Sequence, residues 1–261
     1  METKEITGIS KYSTFGLRKE WLNDFLNKGD DFFDNNSLGP KQLLALRYYL
    51  KDAEILEKNR SKNRLNFFFY NLLISLLNRN SYLVWCILWC NLVYNSNLFK
   101  WWSNLSKGVY KKSQIDTFLG DFYGKLNRSI KNASCSLVGT FERTPIGEEL
   151  KQGIVKKEGR ERIVIKEGDP KLDPIVVLYN LYKFAERNDI YEFSIYEIEN
   201  KPLSPQKVFC TDSKYIEKLV IPYAYQNVIY LDLKNDFLKI KLRRDLRSID
   251  ILNKYVGGEI E

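Results

Sequence analysis

Cys86, Cys90, Cys135 and Cys210 are the side chains of this sequence best suited to nucleophilic or redox chemistry, and their spacing supports little of it. On a helix, Cys86 and Cys90 would share a face without making a Cys-x-x-Cys knuckle. Both sit in the apolar run Tyr82–Val93, where a free thiol behaves as a small hydrophobe. They are expected as buried free thiols of a protein in the reducing cytoplasm. Asp30, Asp31 and Asp34 cluster in an Asn-rich loop and read as a solvated turn. The chain contains no histidine. That excludes Ser-His-Asp and Cys-His constellations and histidine zinc sites, and it removes the usual general base near neutral pH. Neither Gly-x-x-x-x-Gly-Lys-Ser/Thr nor Gly-x-Gly-x-x-Gly occurs. No catalytic residue, metal or cofactor is assigned. The expectation moves from enzyme to binding module, and a nuclease or sulfur-transfer activity using Asp/Glu or Cys135 is the least supported reading.

Basic side chains offer more. The sequence carries 41 Lys and Arg against 33 Asp and Glu, a formal charge of +8, which favours an anionic partner, most simply duplex DNA. Cationic groups presented by helices and hairpins neutralise phosphates and release counterions. The candidate DNA contacts are Lys41, Gln42, Arg47 and Lys51 in the first part of the chain. In the second they are Arg128, Lys131 and Asn132, with Lys156, Lys157, Arg160 and Arg162 on a hairpin. In the third, a strand pair carries Lys239, Lys241, Arg243 and Arg244. Lysines and arginines on edge strands also serve solubility and block edge pairing.

These residues need elements to hold them. Tyr12–Asn27 has the periodicity of a helix, with Phe15, Trp21, Leu22, Phe25 and Leu26 on one face. Pro40 opens a second helix that ends near Asp52–Glu54. Asn59–Arg64 is a basic connector. Leu65–Leu77 and Tyr82–Val93 are too short and too interrupted to span a membrane and read as buried helices. Trp101 and Trp102 border a basic segment, where packing outweighs stacking on bases as their role. Lys111–Asn127 reads as an amphipathic helix with Ile115, Phe118, Leu119, Phe122 and Leu126 inward. Ser129, as a cap, opens Ser129–Phe141. Ile154–Lys157 and Arg160–Lys166 form a hairpin about Glu158-Gly159. Pro174–Arg187, Ser204–Phe209 and Ser213–Leu219 are helical, Val228–Leu233 and Phe237–Leu242 are strands, and Ile249–Val256 is a final helix. Tyr191–Glu199 is strand-like.

The fold class is therefore mainly α with small β-hairpins, in tandem winged-helix-like units. The expected domains are 1–64, a helix-turn-helix-like unit, then 65–168 and 169–261, each winged-helix-like. In such a unit one helix enters the major groove and the hairpin lies along the phosphates.

The opening segment resembles the DUF4007 family. Thr14, Phe15, Arg18, Trp21 and Leu22 match its His-Glu-Thr-Phe…Arg…Trp-Leu pattern, with Tyr12-Ser13 in place of His-Glu. Leu38-Gly39, Lys41, Arg47-Tyr48 and Leu50 are similar to its Leu-Gly-x-Gly-Lys-Asn…Ile-Arg-Tyr-Trp-Leu segment, with Pro40 replacing the second glycine. Ser129–Phe141 is similar to its Ser-x-x-Arg-Asp…Phe-Leu-x-Thr-Tyr segment, with Asn132-Ala133 replacing Arg-Asp. Ser204-Pro205, Lys207-Val208-Phe209 and Tyr230-Leu231 fit its last module. The resemblance implies a non-catalytic, DNA-binding accessory subunit of a DNA phosphorothioation or phage-defence system, found beside proteins resembling phosphoadenosine phosphosulfate reductase. The alternative is a scaffold that docks such a partner through Trp101, Trp102 and the apolar helices without touching DNA.

Overall fold

The computed structural model describes residues 8–57, 64–234 and 237–260. Most of the connector expected over Asn59–Arg64, and Asn235-Asp236 of the expected last turn, lie outside them. The fold is mainly helical with two small antiparallel sheets.

Residues 8–18 form turns rather than the start of a long helix, and α1 spans only Lys19–Lys28. Ser13 adopts a left-handed backbone at φ 54°, which breaks a helix there, and Ile9 and Tyr12 reach the core from this irregular strap instead. Proline at the first turn opens α2, Pro40–Asp52, whose Gln42 side chain accepts a hydrogen bond from the Gly39 N–H at 3.1 Å. Asn66 and Asn80 cap the next two helices, α3 (Phe67–Arg79) and α4 (Ser81–Asn95). Leu83–Tyr94 of α4 is buried on every side, as its unbroken apolar run requires, and makes α4 the axis of the molecule. It holds Cys86 and Cys90. Both are free thiols, and burial pushes the Cys90 thiol up to about 12, so neither is poised as a nucleophile.

The rest of the chain repeats one order of elements twice. After α5 (Asn97–Asn104) come β1 (Gly108–Lys111), α6 (Lys112–Phe122), α7 (Arg128–Arg143), a short α8 (Pro145–Glu148), β2 (Ile154–Glu158) and β3 (Glu161–Lys166). After α9 (Pro174–Asn188) come β4 (Glu192–Phe193), α10 (Pro205–Phe209), α11 (Ser213–Val220), β5 (Ile229–Lys234), β6 (Phe237–Leu242) and a closing α12 (Ser248–Gly257). The sheets are ordered β1-β3-β2 and β4-β6-β5, so each time the last strand of the set lies in the middle. Asn127, not Ser129, caps α7, because its side chain accepts from the Ile130 N–H at 3.0 Å. One cluster of buried apolar side chains runs from Ile9 to Ile260 and joins these segments.

One burial result follows the sequence expectation of packing and one departs from it. Trp101 and Trp102 are core residues, with the Trp102 indole N–H donating to the Gln152 carbonyl at 2.7 Å. They are closed to both bases and partners. Lys166 on β3 is also buried, and its ammonium donates to the carbonyls of Trp102, Ser103 and Leu105 at 2.8, 3.0 and 2.6 Å. It thereby satisfies the end of α5 and the turn after it, groups a helix leaves without partners. Lys166→Met is expected to orphan these carbonyls and cost about 2 kcal/mol net of the relieved desolvation. Urea unfolding measures this, and an unchanged midpoint would mean that water replaces the ammonium.

Candidate nucleic-acid interface

The two repeats present their second helices in opposite ways. In the first repeat that helix is α7, and its C-terminal half is roofed by the strap. Leu17 N–H donates to Thr140 Oγ1 at 3.0 Å, and Tyr49 O–H donates to the Phe15 carbonyl at 3.0 Å while bonding Thr140 Oγ1 at 3.1 Å. Gly16 lies directly on Gly139: a Cβ on Gly16 would sit 2.2 Å from the Gly139 carbonyl carbon and from Thr140 N. The strap is anchored at its other end on Asp52, which pairs with Lys11 at 2.7 Å and accepts from the Tyr12 hydroxyl. Tyr12 stacks on Tyr49 at 4.0 Å and is fully buried. Position 12, where the resembling family reads histidine, is therefore a strut that ties the strap to α2. Buried there beside the Asp52 carboxylate, Tyr12 holds its proton far above the usual tyrosine range.

What remains open on α7 is its first turn and, at its last, Glu142 and Arg143. Arg128 and Lys131 are exposed and Asn132 is half-buried. The hairpin β2–β3 sits at the other end of the helix, where Arg162 pairs with Glu142 at 3.4 Å. By helical rise the two ends are about 24 Å apart. Lys156, Lys157 and Arg160 are exposed on that hairpin, and Gly159 supplies the left-handed φ of 61° its turn needs. Glu161 of the same hairpin is drawn back toward the Ser113 N–H and hydroxyl, which hold its carboxyl below the usual range.

The α2 candidates divide. Lys41 is exposed. Gln42 is used as the helix cap and not as a reader. Arg47 is half-buried with its guanidinium carbon 5.1 Å from the Phe33 ring centroid, so it packs on the protein's own surface. Lys51 is half-buried. Arg243 and Arg244 lie just past β6 and not on the strand pair: Arg243 is held by Asp245 and by the Asn227 carbonyl at 3.1 Å, and Arg244 lies 4.6 Å over the Tyr191 ring with Asp189 at 3.3 Å. Both arginines flank a concavity shared with Tyr230 and Lys241. Of the candidate contacts, Lys41, Arg128, Lys131, Lys156, Lys157 and Arg160 are exposed. Gln42, Arg47, Arg162 and Arg243 have structural partners.

Sequence reasoning passed over α11, the second helix of the second repeat. Its Lys214 and Lys218 are exposed, and the signal was their i, i+4 spacing behind the Asp212 cap. It also misjudged α6. Ile115 and Leu119 are buried as expected, but Phe118 and Phe122 are each 43% exposed, Leu126 55% and Val109 62%, an apolar surface that does not face the core.

No group of three or more Cys, Asp or Glu able to hold a metal occurs among the described residues, and no helix among them is long and apolar enough to cross a membrane. No protein-family model and no curated protein matches the chain. Two solved structures do. An SspB crystal structure superposes with a TM-score of 0.72 at 14% identity, over 97% of this chain and 89% of that one. A magnesium ion-bound SspB crystal structure superposes with a TM-score of 0.70 at 15% identity, over the same shares, 97% and 89%. At such identities the likeness is one of fold, and it extends over nearly the whole of this chain, so the strap, both repeats and the closing helix together form the fold that is shared with SspB.

Proposed function

We propose that the protein binds duplex DNA as an accessory subunit of a DNA-modification or phage-defence system of the phosphorothioation type. The observation that carries this reading is the hairpin β2–β3, which projects Lys156, Lys157 and Arg160 into solvent beside a Gly159 turn. A hairpin so charged suits a row of phosphates. Support comes from the order strand–helix–helix–strand–strand in both repeats, which is the order of a winged helix; residues 65–168 and 169–261 are two such units in this proposal. The net charge of +8 agrees in sign. The system is suggested by the DUF4007-like segments Thr14–Leu22, Leu38–Leu50 and Ser129–Phe141. The reading gives the chain no chemistry of its own.

Fluorescence anisotropy on a labelled duplex tests it. Binding is expected with a steep salt dependence. Replacing Lys156, Lys157 and Arg160 together by alanine should lower the slope of log K against log salt by about 0.9 per lost phosphate contact. No binding at about 10 µM protein in low salt, well within the range of non-specific DNA affinity, would sink the proposal. Supercoiled plasmid incubated with the protein and magnesium should stay supercoiled; nicking would overturn the non-catalytic part.

A second reading, a scaffold that docks a partner of the same system, is favoured by one observation. Phe118 and Phe122, one turn apart on α6, and Leu126 just beyond leave a solvent-facing apolar surface. Trp101 and Trp102 have no part in it. Co-purification with the reductase-like partner, lost in Phe118→Ser/Phe122→Ser while DNA binding persists, would support the scaffold.

A further inference from the structure

The two repeats have the same element order, but only one of them leaves its second helix open to a ligand as broad as a duplex. In the first, α7 is closed over Ala133, Ser134 and Ser136–Phe141 by burial, with Gly16 pressed on Gly139 and Leu17 bonded to Thr140. A groove cannot approach that face while the strap is seated. In the second, α11 buries only Ser213, Ile216 and Val220. Its opposite face is solvent-exposed at Lys214 and Lys218, one turn apart, with the half-exposed Tyr215, Glu217 and Leu219 alongside.

The charges on that face are sorted. Asp212 is spent on the helix cap, accepting from the Tyr215 N–H at 2.8 Å. Glu217 accepts from the Tyr196 hydroxyl at 3.2 Å. Tyr215 is fixed by donating its own hydroxyl to the Pro170 carbonyl at 2.5 Å, which ties α11 to the loop before α9. Gln206 on α10 bonds the Ser213 hydroxyl at 3.0 Å, so the two helices are joined at the turn between them. Neither Lys214 nor Lys218 has an ion-pair partner among the described residues. The acids are therefore engaged within the protein, the lysines are exposed, and the helix that carries them is braced at its first turn.

We infer that α11 is the helix that enters the DNA major groove, with Lys214 and Lys218 as its contacts. The first repeat's α7 serves instead as the seat for the N-terminal strap. This rests on the duplex-DNA reading above. A helix fits the major groove by its width, and lysines at i and i+4 reach base edges or the flanking phosphates from one face.

The test uses the full chain and a labelled duplex, with Lys214→Ala/Lys218→Ala compared with the unaltered protein across a salt series. Both side chains are exposed, so unfolding midpoints by urea should coincide and report an intact fold. Affinity should fall at least tenfold at moderate salt, and the slope of log K against log salt should drop by about 1.8 for two lost contacts. An unaltered protein that binds while the double variant binds equally well, with the same slope, overturns the assignment of α11 and leaves the duplex-DNA reading standing. Failure of the unaltered protein to bind overturns both.

Discussion

Gly16→Ala destabilises the protein by about 3 kcal/mol, at the upper end of what overpacking costs. The added methyl carbon would lie 2.2 Å from two backbone atoms of α7, the Gly139 carbonyl carbon and Thr140 N. No side-chain rotation relieves a clash with helix backbone. Either α7 shifts, disturbing the buried Leu137, Val138 and Phe141 beside it, or the strap lifts. Lifting breaks the Leu17–Thr140 hydrogen bond and pulls on Tyr49, whose hydroxyl serves both Phe15 and Thr140. The reciprocal change is mild. A Cβ on Gly139 would be 3.4 Å from Gly16 Cα and N, at the edge of ordinary contact. Within a helix, alanine also gains about 1 kcal/mol over glycine, so Gly139→Ala should stay within about 1 kcal/mol of the unaltered protein. Urea denaturation of the two variants decides the matter. Equal midpoints for Gly16→Ala and Gly139→Ala would mean that the strap is not seated by this backbone contact.

The strap also marks where the sequence stops being legible. Helices announced by a cap or a first-turn proline were readable, because those signals are local: Pro40 before α2, Pro174 at the start of α9, Ser204-Pro205 at α10. The run Leu83–Tyr94 was readable because an uninterrupted apolar stretch has only one place to go. Tyr12–Asn27 misled because Tyr12, Phe15 and Leu22 satisfy helical spacing while Ser13 takes a left-handed turn, fixed by contacts with α2 and α7 far along the chain. Arg18 and Trp21 follow the same logic. The Arg18 guanidinium lies 4.7 Å from the Trp21 ring, so the spacing encodes a stack.

The site was half legible for a related reason. Charge and turn residues revealed the hairpin at Lys156–Arg162, since both act where they stand. Which helix is open depends on what covers it, and covering is a tertiary fact. The strap that closes α7 lies more than a hundred residues earlier, as the Leu17–Thr140 separation of 123 shows. Burial of α6 failed in the opposite sense, because periodicity records an apolar face and not which surface it meets. Lys166 was invisible as a core residue, since it shares a strand face with the buried Val164 but no local signal says that three carbonyls wait behind it.

Alkaline unfolding should be abrupt, and the buried tyrosines are the cause. Tyr12, Tyr49, Tyr94 and Tyr179 are each buried, and desolvation raises all four above the ordinary tyrosine value. Their folded values lie above the unfolded one, so their contribution is whole below about pH 10 and drains away as pH rises beyond it, when the unfolded chain loses protons that the folded chain keeps. Each such group costs about 1.4 kcal/mol per pH unit, and four together cost on the order of 5 kcal/mol per unit. Domain stabilities are on the order of 5–15 kcal/mol, so the fold should be lost within about two units, between pH 11 and 12. Lys166 acts with the opposite sign at lower pH. Burial lowers its ammonium to about 8, so between there and the normal lysine value the unfolded chain holds a proton the folded one lacks. Stability should therefore rise by up to about 1.4 kcal/mol per unit from pH 8 toward 10 before it collapses, and the rise should be absent in Lys166→Met. Circular dichroism and tyrosinate absorbance followed together against pH check both limbs. The two signals should change in one cooperative step, with most phenol ionisation appearing only as helix is lost. Smooth ionisation of all tyrosines near pH 10 with the helical signal intact would show that these hydroxyls are not sealed in the core.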